Sequence, residues 1–379
     1  MEKSNFGVPE KKIAALPKVN RTRHMPSLDG WRGIAILSVL ACHGSAGMSL
    51  KNSPIWNAIR PILARGYHGV DLFFGISGFL ICTRLLEGED QEGKIDLRTF
   101  YIRRFFRIAP LFLLYFSILA ALKFAGQLDL NFHSWLSGLL LIQTYSVKST
   151  DINWYVGHIW SLAVEEHFYL IFPALLVLIG QKSKARAGIL TLSALGVALW
   201  RSLEYKYQLL PQLLPGIGFY SRTDIVLDFL LFSAGMAVVW RKDLMPGLLK
   251  DLVQNRYSAL IFALLYALVL WKEPHFSMLL EAILISMLLV STLDGQTPLL
   301  SPILKNPILA WVGKISYSLY LWNNLFLLPL EEKPLPALNW MQTPITNGLL
   351  LFGLSALSYT ALEKPMINLG RRLSKPRTD

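Results

Sequence analysis

Ten apolar runs of roughly 16 to 23 residues, each about long enough for a helix that crosses a bilayer, leave little polar chain between them. They fall near residues 31–48, 67–87, 105–125, 158–179, 188–204, 223–240, 257–271, 276–293, 308–329 and 345–362. In lipid, a backbone must satisfy its own polar groups, and runs of this length do so as helices. The expected fold is therefore an all-α integral membrane protein of about ten transmembrane helices. Composition agrees, since 53% of the 379 residues are hydrophobic and only 16% are charged, too apolar for a soluble domain.

The net charge of +12 raises the question of a nucleic-acid partner, and the distribution of the charge answers it. With a cytoplasmic N-terminus, both tails and the even-numbered connections lie inside and hold most of the 37 Lys and Arg. That is the positive-inside pattern of a membrane protein. The expected neighbours are membrane lipids, with no nucleic acid.

The same count decides residues 132–147, "FHSWLSGLLLIQTYSV". An eleventh span there would carry the basic stretches "GQKSKARAG" and "GRRLSKPRTD" outside, so a re-entrant or interfacial helix is expected instead. Residues 1–27 are polar, basic and proline-containing, which reads as a cytoplasmic tail rather than a cleavable signal peptide. Residues 28–365 form the membrane domain and 366–379 a basic cytoplasmic tail. Cys42 and Cys82 fall in different spans at different depths, where packing rather than a disulfide is expected.

Ionisable residues inside apolar runs point to a site. Arg32 and His43 are eleven positions apart, within about 20° of three full turns, and so share a helix face at depths about 16 Å apart. An Arg near a helix start also snorkels to headgroups, whereas an imidazole titrates near neutrality and suits a general base. Ser161 and Glu165 lie one turn apart, beside Glu166. Arg103, Arg104 and Arg107 in "RRFFR" read either as a lipid-facing anchor or as a guanidinium fork for phosphate. Asp71 either orients a base or faces water, and Gly69, Gly75 and Gly78 allow close helix packing. The spacing of His158 and His167, with no cysteine cluster nearby, predicts no metal site.

Six stretches in order, "LDGWRGIAILSVLACH", "GVDLFFGISGFLI", "FYIRRFFRIAPLF", "WSLAVEEHFYLIFP", "ISYSLYLW" and "EKP", resemble the membrane-bound acyltransferase-3 family, which O-acylates cell-surface sugars and some secondary metabolites. The resemblance runs from residue 28 to 365. It implies ten helices in a bacterial inner membrane and an O-acyltransferase, most commonly of acetyl groups. Acyl-CoA, commonly acetyl-CoA in the family, enters as co-substrate, with no bound cofactor.

By the same resemblance, Arg32 and His43 are the signature pair, Arg104 and Arg107 the cytoplasmic arginines, and Ser161 with Glu165 the Ser-x-x-x-Glu feature. In the implied mechanism His43 takes the acceptor proton or relays the acyl group, Glu165 holds its ring, and Arg32 stabilises the donor side. Two departures stand out. Asn323 replaces the His that often follows "SLYLW" in the family, and no hydrolase-like domain follows the membrane domain in this sequence. Acyl handover is then expected to finish within the membrane domain or on another protein. The acceptor stays open between a cell-surface or lipid-linked saccharide and a glycosylated small metabolite. The rival reading is a secondary transporter or flippase for a lipid-linked glycan, against which no two-fold internal repeat is found.

Overall fold

A computed structural model describes residues 25–47, 53–146, 152–214, 217–219, 221–274, 276–293, 297–329 and 343–374. Most of the expected N-terminal tail, residues 1–24, and the last five residues of the C-terminal one, 375–379, lie outside them. Among the described residues there is helix and no strand.

Helix α1 (Pro26–Ala46) opens with proline in its first turn and Asp29 near its start, both favourable at a helix N-terminus. Helix α2 (Pro54–Ala64) is capped by Ser53 and passes through a 3₁₀ turn (Arg65–His68) into α3 (Gly69–Glu92). Gly93, at φ 74°, ends α3 in the left-handed conformation that glycine adopts without strain. Helix α4 (Leu97–Phe124) follows, and α5 (Phe132–Leu139) is only eight residues long. Eight residues rise about 12 Å, too little to span a bilayer, so no eleventh span arises here.

Next come α6 (Trp154–Gly157), α7 (Ile159–Ile179), α8 (Ser183–Tyr207), α9 (Leu209–Leu213) and α10 (Thr223–Arg241). The C-terminal part contains α11 (Gly247–Gln254), α12 (Ser258–Lys272), α13 (Ser277–Leu293), α14 (Leu300–Leu304), α15 (Pro307–Lys314) and α16 (Ser316–Phe326). Helix α17 (Pro344–Ser358) then runs through a π-helical turn (Tyr359–Glu363) into α18 (Lys364–Leu373).

Five helical rods are long and apolar enough to cross a membrane: Pro54–Glu92, Leu97–Phe124, Trp154–Ile179, Thr223–Arg241 and Pro344–Leu373. The bent pair α11 and α12, turned by 88°, brings the number to six. The protein is thus a multi-pass membrane protein, with fewer self-evident spans than the ten apolar runs suggest. The differences have local causes. Helices α1 and α8 are long but interrupted by charges such as Arg32, Arg186 and Arg201, α13 has 17 residues, and the run near 308–329 breaks at Ile315 into α15 and α16.

Helices α3 and α10 are the most deeply enclosed spans, while α4 and α17 are mostly peripheral. Helix α3 packs against α10, α1 and α13, and α10 also packs against α8. Glycines permit these approaches. A Cβ at Gly78 would overlap the carbonyl of Leu230, and one at Gly30 would overlap that of Leu304. Two ion pairs are buried between helices: Arg201 holds Asp228 through two contacts of 2.8 Å, and Arg186 holds Glu89 at 2.5 and 2.9 Å. Cys42 and Cys82 are free thiols.

Candidate functional site

The lower half of α1 faces an arginine-rich cavity of about 720 Å³, within the size range of small-molecule sites. Its wall combines the start of α1, the C-terminal half of α3, the start of α4 and α18, and carries Arg32, Arg84, Arg103, Arg104, Arg107 and Arg371. Helix α4 brings its arginines here because Asp96 caps its N-terminus, accepting from Thr99 N at 3.0 Å. Arg103, Arg104 and Arg107 then follow within its first three turns.

Three of the arginines are individually held. Arg32 donates from Nε and a terminal nitrogen to Ser316 Oγ at 3.3 and 3.1 Å, and Arg103 Nε donates to Ser374 Oγ at 2.8 Å. The Arg104 guanidinium lies over the Tyr169 ring, 3.9 Å from its centroid, a cation–π arrangement that fixes its plane. Arg107 feels the charges of Arg32, Arg104 and Glu363. Asp29, Glu87, Glu92 and Asp96 share the wall, and Glu87 pairs with Arg84 at 2.7 Å, but the six guanidinium groups outnumber them, and the planar forks of Arg103, Arg104 and Arg107 suit phosphate.

His43, in the last turn of α1, is absent from that wall. Its Nδ1 lies 2.5 Å from Asn323 Oδ1. The Asn323 amide nitrogen donates to the Tyr320 carbonyl, which turns the amide oxygen toward the ring. Nδ1 therefore carries the proton and donates it, and Nε2 presents the lone pair. The Trp154 ring packs against the imidazole at 5.2 Å between centroids. Trp154 is fixed in turn by Asn324: its Nε1 donates to the Asn324 carbonyl at 3.1 Å, and Asn324 Nδ2 donates to the Trp154 carbonyl at 2.7 Å.

The sequence reading placed Glu165 on the His43 ring, and the structure corrects it. Glu165 accepts from Ser77 Oγ at 3.0 Å and from Tyr169 OH at 2.7 Å. It thus ties α7 to α3, and Tyr169 links it to the ring face under Arg104. Ser161 meets the Tyr320 hydroxyl at 2.6 Å, and that hydroxyl donates to the His158 carbonyl at 2.6 Å, leaving Ser161 as the donor. Asp71 does orient an imidazole, but that of His68, at 2.9 Å.

The expected residues therefore form two assemblies, Arg32 with Arg103, Arg104 and Arg107 at one level, and His43 with Asn323 at the other. Ser316, Tyr169, Tyr320 and Trp154 are supporting residues to which the sequence attached no role. Ser316 and Tyr320 lie within "ISYSLYLW", and their polar atoms at helical spacing were the available signal.

Comparison with known proteins gives a consistent context. The sequence model of the acyltransferase-3 family, described as an acyltransferase domain, matches residues 25–362. A Staphylococcus aureus protein named "Putative O-acetyltransferase" is 28% identical over 82% of this chain and 52% of its own length. The peptidoglycan O-acetyltransferase of Listeria monocytogenes is 26% identical over 91% of this chain and 56% of its own. The chain spans about half the length of the curated relatives it matches. No solved structure matches it.

Proposed function

Because the chain belongs to the acyltransferase-3 family, we propose that it is a membrane O-acyltransferase, moving an acetyl group from cytoplasmic acetyl-CoA to a hydroxyl of a cell-surface or lipid-linked saccharide. The observation that carries the reading is the pairing of His43 with Asn323, which leaves an imidazole lone pair at Nε2. The names of the relatives make peptidoglycan sugars the first acceptors to test.

In this reading the chain sits in a bacterial inner membrane with ten passes and both termini inside, the orientation that the positive charge favours. Acyl-CoA is the donor, and its phosphates rest on Arg103, Arg104 and Arg107. Arg32, held by Ser316, adds positive charge at the inner end of the His43 helix. The long pantetheine arm suits a site whose two levels are about 16 Å apart.

At the upper level, Nε2 of His43 removes the proton of the acceptor hydroxyl as its oxygen attacks the thioester carbonyl. The tetrahedral adduct collapses, the C–S bond breaks, and the departing CoA thiolate takes the proton from the imidazolium. Asn323 keeps the ring in the reactive tautomer throughout. Glu165, Ser77 and Tyr169 act on the arginine level by fixing the surface on which Arg104 lies, while Ser161 supports Tyr320 and through it the helix that carries Asn323.

The test compares purified wild type with His43→Ala for acetyl transfer from acetyl-CoA to peptidoglycan oligosaccharides, read as the mass gain of one acetyl group, with donor binding measured in parallel. The expected result is a mutant that binds donor and loses turnover by about 10²–10⁴-fold. Equal turnover in the two proteins would overturn the assignment of His43.

A further inference from the structure

At the end of α3 remote from the arginine cavity, three acid–base side chains converge from two parts of the chain. His68 ends the 3₁₀ turn, Asp71 lies in the first turn of α3, and Glu281 comes from α13. His68 Nδ1 lies 2.9 Å from Asp71 Oδ2 and 3.0 Å from Glu281 Oε2. One ligand atom from each residue lies within 4.8 Å of those of the other two. The group faces α13, whereas His43 faces Asn323 on α16.

The three side chains do not satisfy one another. One Nδ1–H serves two carboxylates at best as a weakened, shared bond, and its well-aligned hydrogen bond goes to Asp71. Glu281 Oε2, in a side chain only 1% exposed, is left without a hydrogen bond, and so is His68 Nε2. Among the described residues, His68 is the one cationic partner that either carboxylate has. Protonating the imidazole still leaves one uncompensated negative charge among apolar helices, which is unfavourable. Two carboxylates and a neutral imidazole are balanced by one divalent cation.

We propose that His68, Asp71 and Glu281 bind a divalent transition-metal ion, Zn²⁺ by their donor chemistry, which fastens the start of α3 to α13. One imidazole nitrogen and two carboxylate oxygens are ligands that Zn²⁺ accepts. A tetrahedral zinc with bonds of about 2.0–2.1 Å keeps its ligand atoms about 3.3 Å apart, close to the two nitrogen–oxygen separations already present. The neighbouring Arg65 fixes the same segment to the end of α12, donating to the carbonyls of Leu270 and Trp271 at 2.8 and 3.0 Å. The metal thus completes a second fastening one turn further along. The three side chains leave the fourth position of the ion to water, and its role is to fasten the two helices, separate from acyl transfer.

The experiment uses the full chain purified in detergent. Metal content is measured after loading with Zn²⁺ and removal of free metal, and thermal unfolding is followed with Zn²⁺, with Mg²⁺ and with a chelator. The expected result is about one Zn²⁺ per chain and a melting temperature several degrees higher with Zn²⁺ than with chelator or Mg²⁺. The isosteric Glu281→Gln should lose both effects. The wild-type comparison stands even if that variant fails to fold. A wild type that retains no Zn²⁺ and melts at one temperature in all three conditions overturns the site, and equal stabilisation by Mg²⁺ overturns the zinc assignment.

Discussion

His43 and Asn323, 280 positions apart in sequence, meet through an Nδ1 to Oδ1 hydrogen bond of 2.5 Å. The contact joins the last turn of α1 to α16, and its direction is fixed because the Asn323 amide nitrogen is already committed to the Tyr320 carbonyl. An amide in this place selects the tautomer without adding charge to an apolar bundle. A carboxylate would introduce a negative charge, whose burial would need its own compensation.

Asn323→Leu should therefore slow turnover by roughly tenfold, the worth of about one ordinary hydrogen bond. Leucine keeps the branching and heavy-atom count of asparagine without its polar atoms, and Nδ1–H then loses its acceptor, so both tautomers become populated. The KM for acetyl-CoA should stay within about twofold, because the arginine cavity does not include Asn323. Steady-state kinetics decide the point: a raised KM at unchanged kcat would show that Asn323 serves donor binding instead.

Arg104 offers the opposite signature. Its guanidinium lies over the Tyr169 ring and lines the cavity, and lysine keeps the charge while losing the planar fork and its contact with the ring. Arg104→Lys should raise the KM for acetyl-CoA about tenfold and change kcat by less than about twofold. Initial rates against donor concentration test this. A fall in kcat at constant KM would move Arg104 to the chemical step.

The all-helical membrane character, the two levels of α1 and the glycine contacts were largely legible in the sequence, and for physical reasons, whereas the ten apolar runs overstate the five or six helices long and apolar enough to cross. Apolar runs follow from the lipid environment, and Arg32 and His43 share a face because helical geometry is regular over eleven residues. The partners were not legible. The carboxylate in the Ser161-to-Glu165 turn was a reasonable holder for His43, yet it is taken by Ser77 and Tyr169. Which helix faces which is set by packing such as that of Gly78 on Leu230, and helical periodicity alone carries no such information. The break at Ile315 was hidden as well, since apolar residues continue across it. Asp71 shows the same limit: the sequence left it open between orienting a base and facing water, and its partner, His68, three residues before it, was overlooked.

Asp96 gives a prediction in pH. The Thr99 hydroxyl and backbone N–H hold its carboxyl below the usual carboxylate range. A carboxylate with a lowered folded-state pKa contributes stability above its unfolded value, near pH 4, and that contribution is lost as the pH falls through the folded-state value. Asp96→Ala should cost about 1 kcal/mol at pH 7, with the gap to wild type closing as the pH drops below about 4. Melting curves at pH 7 and at acidic pH measure it. A gap independent of pH would assign the loss to something other than the ionised cap.

The buried pair Arg201 and Asp228 separates fold from function. Both side chains are almost fully enclosed between α8 and α10, joined by two contacts of 2.8 Å, and Arg201 also donates to the Ile225 carbonyl at 2.7 Å. Neither residue belongs to the arginine cavity. Asp228→Ala strands a guanidinium in an apolar interface and should cost about 3–5 kcal/mol, whereas replacing both charges, as in Arg201→Met with Asp228→Leu, should recover most of that loss. Thermal unfolding of the detergent-solubilised protein reads the difference directly. If the double variant proves as unstable as Asp228→Ala, the helices are held by the specific hydrogen bonds of the pair, and relief from a stranded charge is not what restores them.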